Sequence, residues 1–192
     1  MTKLVLASTS PFRQTLLRKL ELPFVVQAPD VDETMLPGET PSQLVTRLSE
    51  AKATAVAERH QDALIIGSDQ VAILANQVLG KPLTHENAIN QLQQASGKKV
   101  DFLTGLCLLN SRTGQAQTAC VPFSVYFRTL SNDQIERYLE KDQPYHSAGS
   151  FKSEGLGISL FEKLEGDDPN TLIGLPLIAL IRMLHHEGVN VP

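Results

Sequence analysis

The sequence predicts an α/β protein built on a mixed sheet, and three observations carry that expectation. Its 192 residues are 42% hydrophobic and 20% charged, the composition of a globular chain long enough for one domain with two lobes. Short apolar runs alternate with helix-patterned segments from residue 3 to about residue 97, in the order βαβα that packs helices on a sheet. Two long strand-like runs, 99–110 and 115–128, then face each other across Asn110-Ser111-Arg112-Thr113-Gly114, which is a hairpin signal. Residues 1–192 are therefore expected to form a single domain: a mixed sheet with flanking helices, in two lobes around a cleft.

Each element has its own signal. Leu4-Val5-Leu6-Ala7 marks a strand over 3–7. Ser10 is a good N-cap and Pro11 suits the first helical position, so a helix is expected over 11–20 with Leu16, Leu17 and Leu20 toward the core. A strand follows at 24–28 and an acidic loop at 29–39. Thr40 caps a helix from Pro41 to about Arg59, whose apolar face reads as Leu44, Val45, Leu48, Ala51, Ala55 and Val56. Ala63-Leu64-Ile65-Ile66-Gly67 is a strand apolar on both faces, closed by Ser68-Asp69-Gln70 and continued by 71–74. Asn76-Gln77 fits a turn, and Gly80-Lys81-Pro82 breaks the backbone before a helix that Thr84 caps and Gly97 closes. Ser131 with Gln134 forms a capping box for a helix over 131–141. A glycine-bounded loop, 148–155, precedes a strand at 156–161, and the last helix runs from near Pro176 to Gly188.

Bulk properties narrow the function. A net charge of −4 argues against a broad nucleic-acid footprint, so the cations that matter must act locally. The longest apolar stretch, 172–181, holds Gly174 and Pro176 and is too short to span a membrane. The apolar run at the N-terminus is likewise too short for a signal peptide. Cys107 and Cys120 form neither a CxxC pair nor a zinc pattern and read as buried free thiols. No GxxxxGK[ST] loop, GxGxxG, HExxH or nucleophile elbow is present. His185, His186 and Glu187 lie at a helix end, where histidine is favoured electrostatically.

Four regions carry candidate chemistry. The amides that open the first helix favour an anion, while Arg13 sits in a turn where the same dipole disfavours a cation; a bound anion would reconcile them. Ser8 and Ser10 add two hydroxyls there. Lys52 falls four residues after Leu48 and four before Val56, near the middle of an apolar stripe. Either it snorkels past a small neighbour or it points into a polar cavity that holds an anion; on sequence grounds alone, Lys52→Met relieves a buried charge. Asp69 closes an apolar strand, where it either caps a turn or meets a ligand. Glu33 is a solvated member of an acidic run or joins Asp69 in holding a hard divalent cation. Lys81, on a stiff turn, is either exposed to solvent or reaches the same anion.

Taken in order, Ser8-Thr9-Ser10-Pro11-Phe12-Arg13, Val31-Asp32-Glu33, Glu50-Ala51-Lys52-Ala53, Gly67-Ser68-Asp69, Gly80-Lys81-Pro82 and Ile173-Gly174-Leu175-Pro176 resemble the Maf family of nucleoside triphosphate pyrophosphatases over nearly the whole chain. The resemblance implies an elongated mixed sheet similar to the inosine triphosphate pyrophosphatase (Maf/Ham1-like) fold, with cleavage between the α- and β-phosphates. It further implies a divalent metal (Mg²⁺ or Mn²⁺), a cytoplasmic location and often a homodimer. Carried over by position, Ser8, Ser10, Arg13, Lys52 and Lys81 would hold the triphosphate, Glu33 would assist with metal or water, and Asp69 matches the general base. Members that act on dTTP and UTP tend to carry Arg after the Ser-Pro, Thr after the Asp and Gln in the later glycine loop. Phe12, Gln70 and Glu154 instead resemble the 7-methyl-GTP branch. Glu154 would accept from the Watson–Crick edge of the methylated base. Phe12 either stacks on that cationic ring or packs beside Leu16 and Leu20; where it stacks, it replaces the stronger cation–π partner Trp of that branch. The same resemblance leaves two other readings: a dTTP, UTP or CTP pyrophosphatase, and a nucleotide-binding regulator of septum formation.

Overall fold

A computed structural model of the protein describes residues 3–191. Among the described residues seven strands form one sheet in the order β2 (Phe24–Val26), β1 (Lys3–Leu6), β3 (Ala63–Leu74), β5 (Lys99–Asn110), β6 (Gln115–Phe127), β7 (Phe161–Glu165), with β4 (Gln77–Leu79) paired to β3. Strand β1 (Lys3–Leu6) lies parallel to both β2 (Phe24–Val26) and β3 (Ala63–Leu74). Strand β4 (Gln77–Leu79) folds back antiparallel on β3, and β7 (Phe161–Glu165) runs antiparallel to β6 (Gln115–Phe127). Helices α1 (Pro11–Arg18), α2 (Pro41–Ala57), α3 (His85–Ala95) and α4 (Asn132–Asp142) lie between strands, α5 (Asn170–Ile173) and α6 (Leu177–His186) follow β7, and β5 (Lys99–Asn110) precedes β6. The α/β class and the mixed sheet expected from the sequence are both present. Among the described residues no helix is long and apolar enough to cross a membrane.

The chain divides into two compact units. The first holds the described residues up to Gln70, residues Thr104–Val121 and those from Gly174 onward; the second holds Val71–Leu103 and Pro122–Ile173.

In the first unit, α2 starts where its sequence dictates. Pro41 takes the first turn, and Thr40 and Gln43 exchange the two bonds of a capping box. Its inner face is not quite the stripe read from hydrophobicity. Ser49, Lys52 and Ala53 join Leu44, Val45, Leu48 and Val56 as buried residues, while Ala51 and Ala55 flank them. Two glycines cause this rotation. A Cβ on Gly67 of β3 would lie 2.0 Å from the Ser49 carbonyl oxygen, and one on Gly105 of β5 would lie 2.0 Å from that of Val45. The helix backbone therefore rests directly on the sheet, over Val5, Ile65, Cys107 and Leu109. Gly67→Ala forces the helix off the sheet and should destabilise the protein by about 3 kcal/mol; a thermal melt checks this, with an unchanged melting temperature refuting the close contact.

The second unit packs around rings. Phe151 meets Phe102, Phe127 and Phe161 edge-on at centroid distances of 5.4, 5.7 and 4.8 Å, the geometry aromatic quadrupoles favour. Leu92 of α3 and Ile135 and Leu139 of α4 complete this core. Residues 156–160, expected to belong to a strand over 156–161, form a 3₁₀ turn, and β7 begins only at Phe161. The reason is Gly157, where a Cβ would sit 2.3 Å from the Lys152 carbonyl oxygen. The chain doubles back there too tightly for extended pairing. Ala75 and Asn76, both at positive φ (48° and 67°), make the two-residue turn between β3 and β4.

The histidines at the end of α6 are structural. His186 bonds the Gln117 side chain, Glu187 receives bonds from Asn110 and Gln117, and His185 meets the Val191 backbone. Cys107 is buried as expected and its thiol is pushed up to about 12 by burial, with Glu50 adding to it; Cys120 is only half-buried, and both thiols are free.

Candidate active site

The first unit holds eight of the ten candidate residues. Lys52 is 5% exposed, and its ammonium lies 2.7 Å from Asp69 Oδ1 and 2.6 Å from Glu33 Oε1. Of the two readings open for Lys52, snorkelling is therefore wrong: the side chain ends buried between two carboxylates. Its anions there are two carboxylates of the chain itself. Asp69, 9% exposed, lies within β3 rather than at its end, so it caps no turn. Its place follows from the close helix–sheet contact, since Gly67 stands two residues before Asp69 and touches the turn of α2 that carries Lys52. Glu33 is reached from a loop, and its side chain is 58% exposed. One partner thus stands on the sheet and the other on an exposed loop.

A clamp holds the Glu33 loop. Arg47 of α2 grips Glu39 through both carboxylate oxygens at 2.6 and 2.9 Å and donates to the Thr34 carbonyl at 3.1 Å. Its guanidinium holds the Glu39 carboxyl at about 2, well below the ordinary 4.5. A carboxylate with a depressed folded-state pKa contributes stability that is complete above its unfolded value and disappears as pH falls. The gap in melting temperature between wild type and Glu39→Gln should therefore be full at pH 6 and shrink from about pH 4.5 toward pH 2. A gap that stays constant across that range contradicts the pairing.

At the start of α1, Ser10 caps the helix by accepting from the Arg13 amide at 3.4 Å. Ser8 Oγ accepts from the Ser10 amide at 3.2 Å and from the Arg13 guanidinium at 3.4 Å. Arg13 Nε donates to the Gly174 carbonyl at 2.8 Å, and that oxygen also accepts from Ser68 Oγ at 3.0 Å. Gly174 is at φ +118°, outside the range of ordinary side chains, and a Cβ there would crowd Arg13 Nε at 3.4 Å. Burial lowers the Arg13 pKa, opposed by the charges of Asp69 and Glu33, so the guanidinium lies within electrostatic reach of the same carboxylates. Phe12 is 37% exposed, which rules out core packing. Gln70 donates to Thr104 Oγ1 at 2.8 Å.

Lys81 and Glu154 belong to the second unit. Lys81 is exposed on its turn beside Gly80. Glu154 is an exposed residue of the loop that follows α4. Tyr138 of α4 braces that loop by donating to Asp142 at 2.8 Å and accepting from the Lys152 amide at 3.1 Å.

Two contributors escaped the sequence reading. Ser68 ties β3 to the Gly174 carbonyl and, at 2.9 Å, to that of Gly105. The Gly174 carbonyl itself aims Arg13. A backbone oxygen gives no side-chain signal, and only the glycine marks the place.

This cluster stands in a chain whose relatives are recognisable. The Maf family (Maf-like protein) profile matches residues 3–187. A protein of Alcanivorax borkumensis named 7-methyl-GTP pyrophosphatase is 60% identical over 189 residues, 98% of this chain and 96% of that one. A Vibrio cholerae protein of the same name is 59% identical over 98% of this chain and 97% of its own. Among solved structures, protein VC0702 from Vibrio cholerae is similar with a TM-score of 0.50 at 13% identity, covering 99% of this chain and 93% of that one. The Staphylococcus aureus Ham1 protein is similar with a TM-score of 0.48 at 16% identity, over 66% of this chain and 72% of that one. The chain belongs to the Maf family.

Proposed function

We propose that this protein is a nucleoside triphosphate pyrophosphatase that hydrolyses 7-methyl-GTP to 7-methyl-GMP and diphosphate, clearing a modified nucleotide from the pool. The observation that carries the reading is the buried Lys52 ammonium held between Asp69 and Glu33. The naming of two relatives at 60% and 59% identity supports the substrate.

The chemistry follows from the residues. Ser8, Ser10 and Arg13 line the opening of α1, where amides and a guanidinium suit a polyphosphate. An arriving phosphate oxygen competes with Asp69 for the Lys52 ammonium. Once the ammonium turns to the phosphate, Asp69 Oδ1 is released to accept a proton from water. The water oxygen bonds to phosphorus, the anhydride bond between the α- and β-phosphates breaks, and the diphosphate leaves with the electron pair. Lys52 and Arg13 neutralise the charge that develops, the main source of rate in phosphoryl chemistry; Lys81 is assigned to phosphate by its place in the family motif alone.

Glu33 and Asp69 would hold a divalent cation, Mg²⁺ or Mn²⁺, through carboxylate oxygens once the Lys52 ammonium that lies between them has turned to the phosphate. Such a cation, when bound, supplies neutralisation of phosphate oxygens and a more acidic water. On this reading Glu154 accepts from the guanine edge, Phe12 stacks on the cationic ring, and Gln70 stands beside the base. The protein works in the cytoplasm on free nucleotides, as a homodimer, with neither nucleic acid nor membrane as partner.

The test is diphosphate release from 7-methyl-GTP, GTP, dTTP, UTP and CTP, with and without Mg²⁺ or Mn²⁺. The reading requires 7-methyl-GTP to lead the panel. Release led by a pyrimidine nucleotide moves the protein to another branch of the family, and no release from any nucleotide favours a binding regulator. Glu154→Gln should lower kcat/KM for 7-methyl-GTP by about 30-fold, the scale of one charge-assisted hydrogen bond, and change UTP by less than about 3-fold. Equal losses on both substrates remove Glu154 from base recognition.

A further inference from the structure

Helix α3 carries a side chain that touches both functional segments of the second unit. Asn87 and Gln91, four residues apart on one helix face, reach the turn that bears Lys81 from both sides. Asn87 Nδ2 donates to the Pro82 carbonyl at 3.0 Å, and Gln91 Nε2 donates to the Gly80 carbonyl at 3.1 Å. The other end of the Gln91 amide, Oε1, accepts from Ser150 Oγ at 2.5 Å. This orientation is forced, because a carbonyl only accepts and must therefore face the amide's NH₂.

Ser150 opens the loop that leads to Glu154. It is fully buried, follows Gly149 (φ +76°) and is itself at φ +63°, a left-handed conformation unusual for a residue with a Cβ. Such a backbone persists only where its surroundings over-determine it, and the bond to Gln91 is part of what holds it. A single amide thus bonds both the Lys81 turn and the root of the Glu154 loop.

We infer that Gln91 is a positioning residue that fixes the phosphate-directed lysine and the base-directed loop in one register. A correct base and a correct triphosphate are then read together. The inference rests on the roles proposed above for Lys81 and Glu154. Gln91→Met keeps the volume and breaks both bonds. Ser150→Gly removes only the loop bond and suits the backbone angle.

The experiment measures kcat and KM on 7-methyl-GTP and UTP for Gln91→Met and Ser150→Gly, alone and combined with Lys81→Ala or Glu154→Gln, beside thermal melts. Gln91→Met should lower kcat/KM by about 10-fold on UTP and by about 100-fold on 7-methyl-GTP, so that the preference for 7-methyl-GTP falls by about 10-fold, a cost typical of misplacement by up to an ångström. Ser150→Gly should lower the preference alone. In the Lys81→Ala background the general loss from Gln91→Met should vanish, and in the Glu154→Gln background the loss of preference should vanish.

Losses that multiply unchanged in every background, or that follow the melting temperature alone, overturn the inference and leave the roles of Lys81 and Glu154 standing. Lys81→Ala and Glu154→Gln variants that are themselves silent overturn those roles, and the inference with them.

Discussion

Asp69→Asn is expected to lower turnover of 7-methyl-GTP by about 10³-fold, the usual worth of a positioned general base. The amide matches the carboxylate in shape, so β3 and the contact between Gly67 and α2 should be unaffected. Lys52 keeps Glu33 as its anionic partner, at 2.6 Å, so KM should change by less than about 3-fold and the fold should remain intact. Steady-state diphosphate release together with a thermal melt checks both halves. Near-normal turnover removes Asp69 from the base role, and a large rise in KM with unchanged kcat assigns it to binding instead.

Lys52→Met has the second largest expected effect, and its sign on stability is set by the ion pairs. Read as a lone charge in an apolar stripe, Lys52 is a liability whose removal stabilises the chain. With Asp69 at 2.7 Å and Glu33 at 2.6 Å, the reverse holds. The substitution leaves the carboxylate of Asp69 buried without its cation, opposite a second carboxylate. Breaking a buried pair from one side costs about 3 kcal/mol, which in a chain of this size lowers the melting temperature by roughly 10 °C. Glu33 moderates the loss because it is exposed enough to swing into water. Adding Asp69→Asn to Lys52→Met removes the orphaned charge and should restore most of that stability, though not activity. Melting temperatures of the two single variants and the double variant decide the matter: a double variant as unstable as the sum of its parents shows that the pair is not the origin of the effect. Turnover of Lys52→Met should fall by about 10²-fold or more.

Much of the fold was legible because its signals are local. Thr40 as a cap, Ser131 with Gln134, and Pro11 and Pro41 in first turns each declare a helix start within a few residues, and all four appear in the structure. The misread places are those where a distant backbone decides. Leu156, Ile158 and Leu160 alternate like a strand, but the fold-back of the chain over Gly157 turns them into a 3₁₀ turn. The inner face of α2 is shifted by Gly67 and Gly105, whose lack of a side chain lets Ser49 and Ala53 reach the sheet. The burial of Lys52 could be read from its helical position, and the family resemblance implied that Asp69 and Glu33 share its site; local spacing could not name them as its ion-pair partners. Asp69 is seventeen residues away and Glu33 arrives on a loop held by Arg47, so neither pairing leaves a periodic trace.

The most direct measurement is a crystal structure with a 7-methyl-GTP analogue whose α- and β-phosphates are joined by a methylene group. The account predicts triphosphate oxygens bonded to Lys52 Nζ and to Arg13, with Asp69 Oδ1 released from the ammonium and facing the α–β linkage. A bound analogue that leaves the Lys52–Asp69 pair closed, with its phosphates held by other residues, contradicts it.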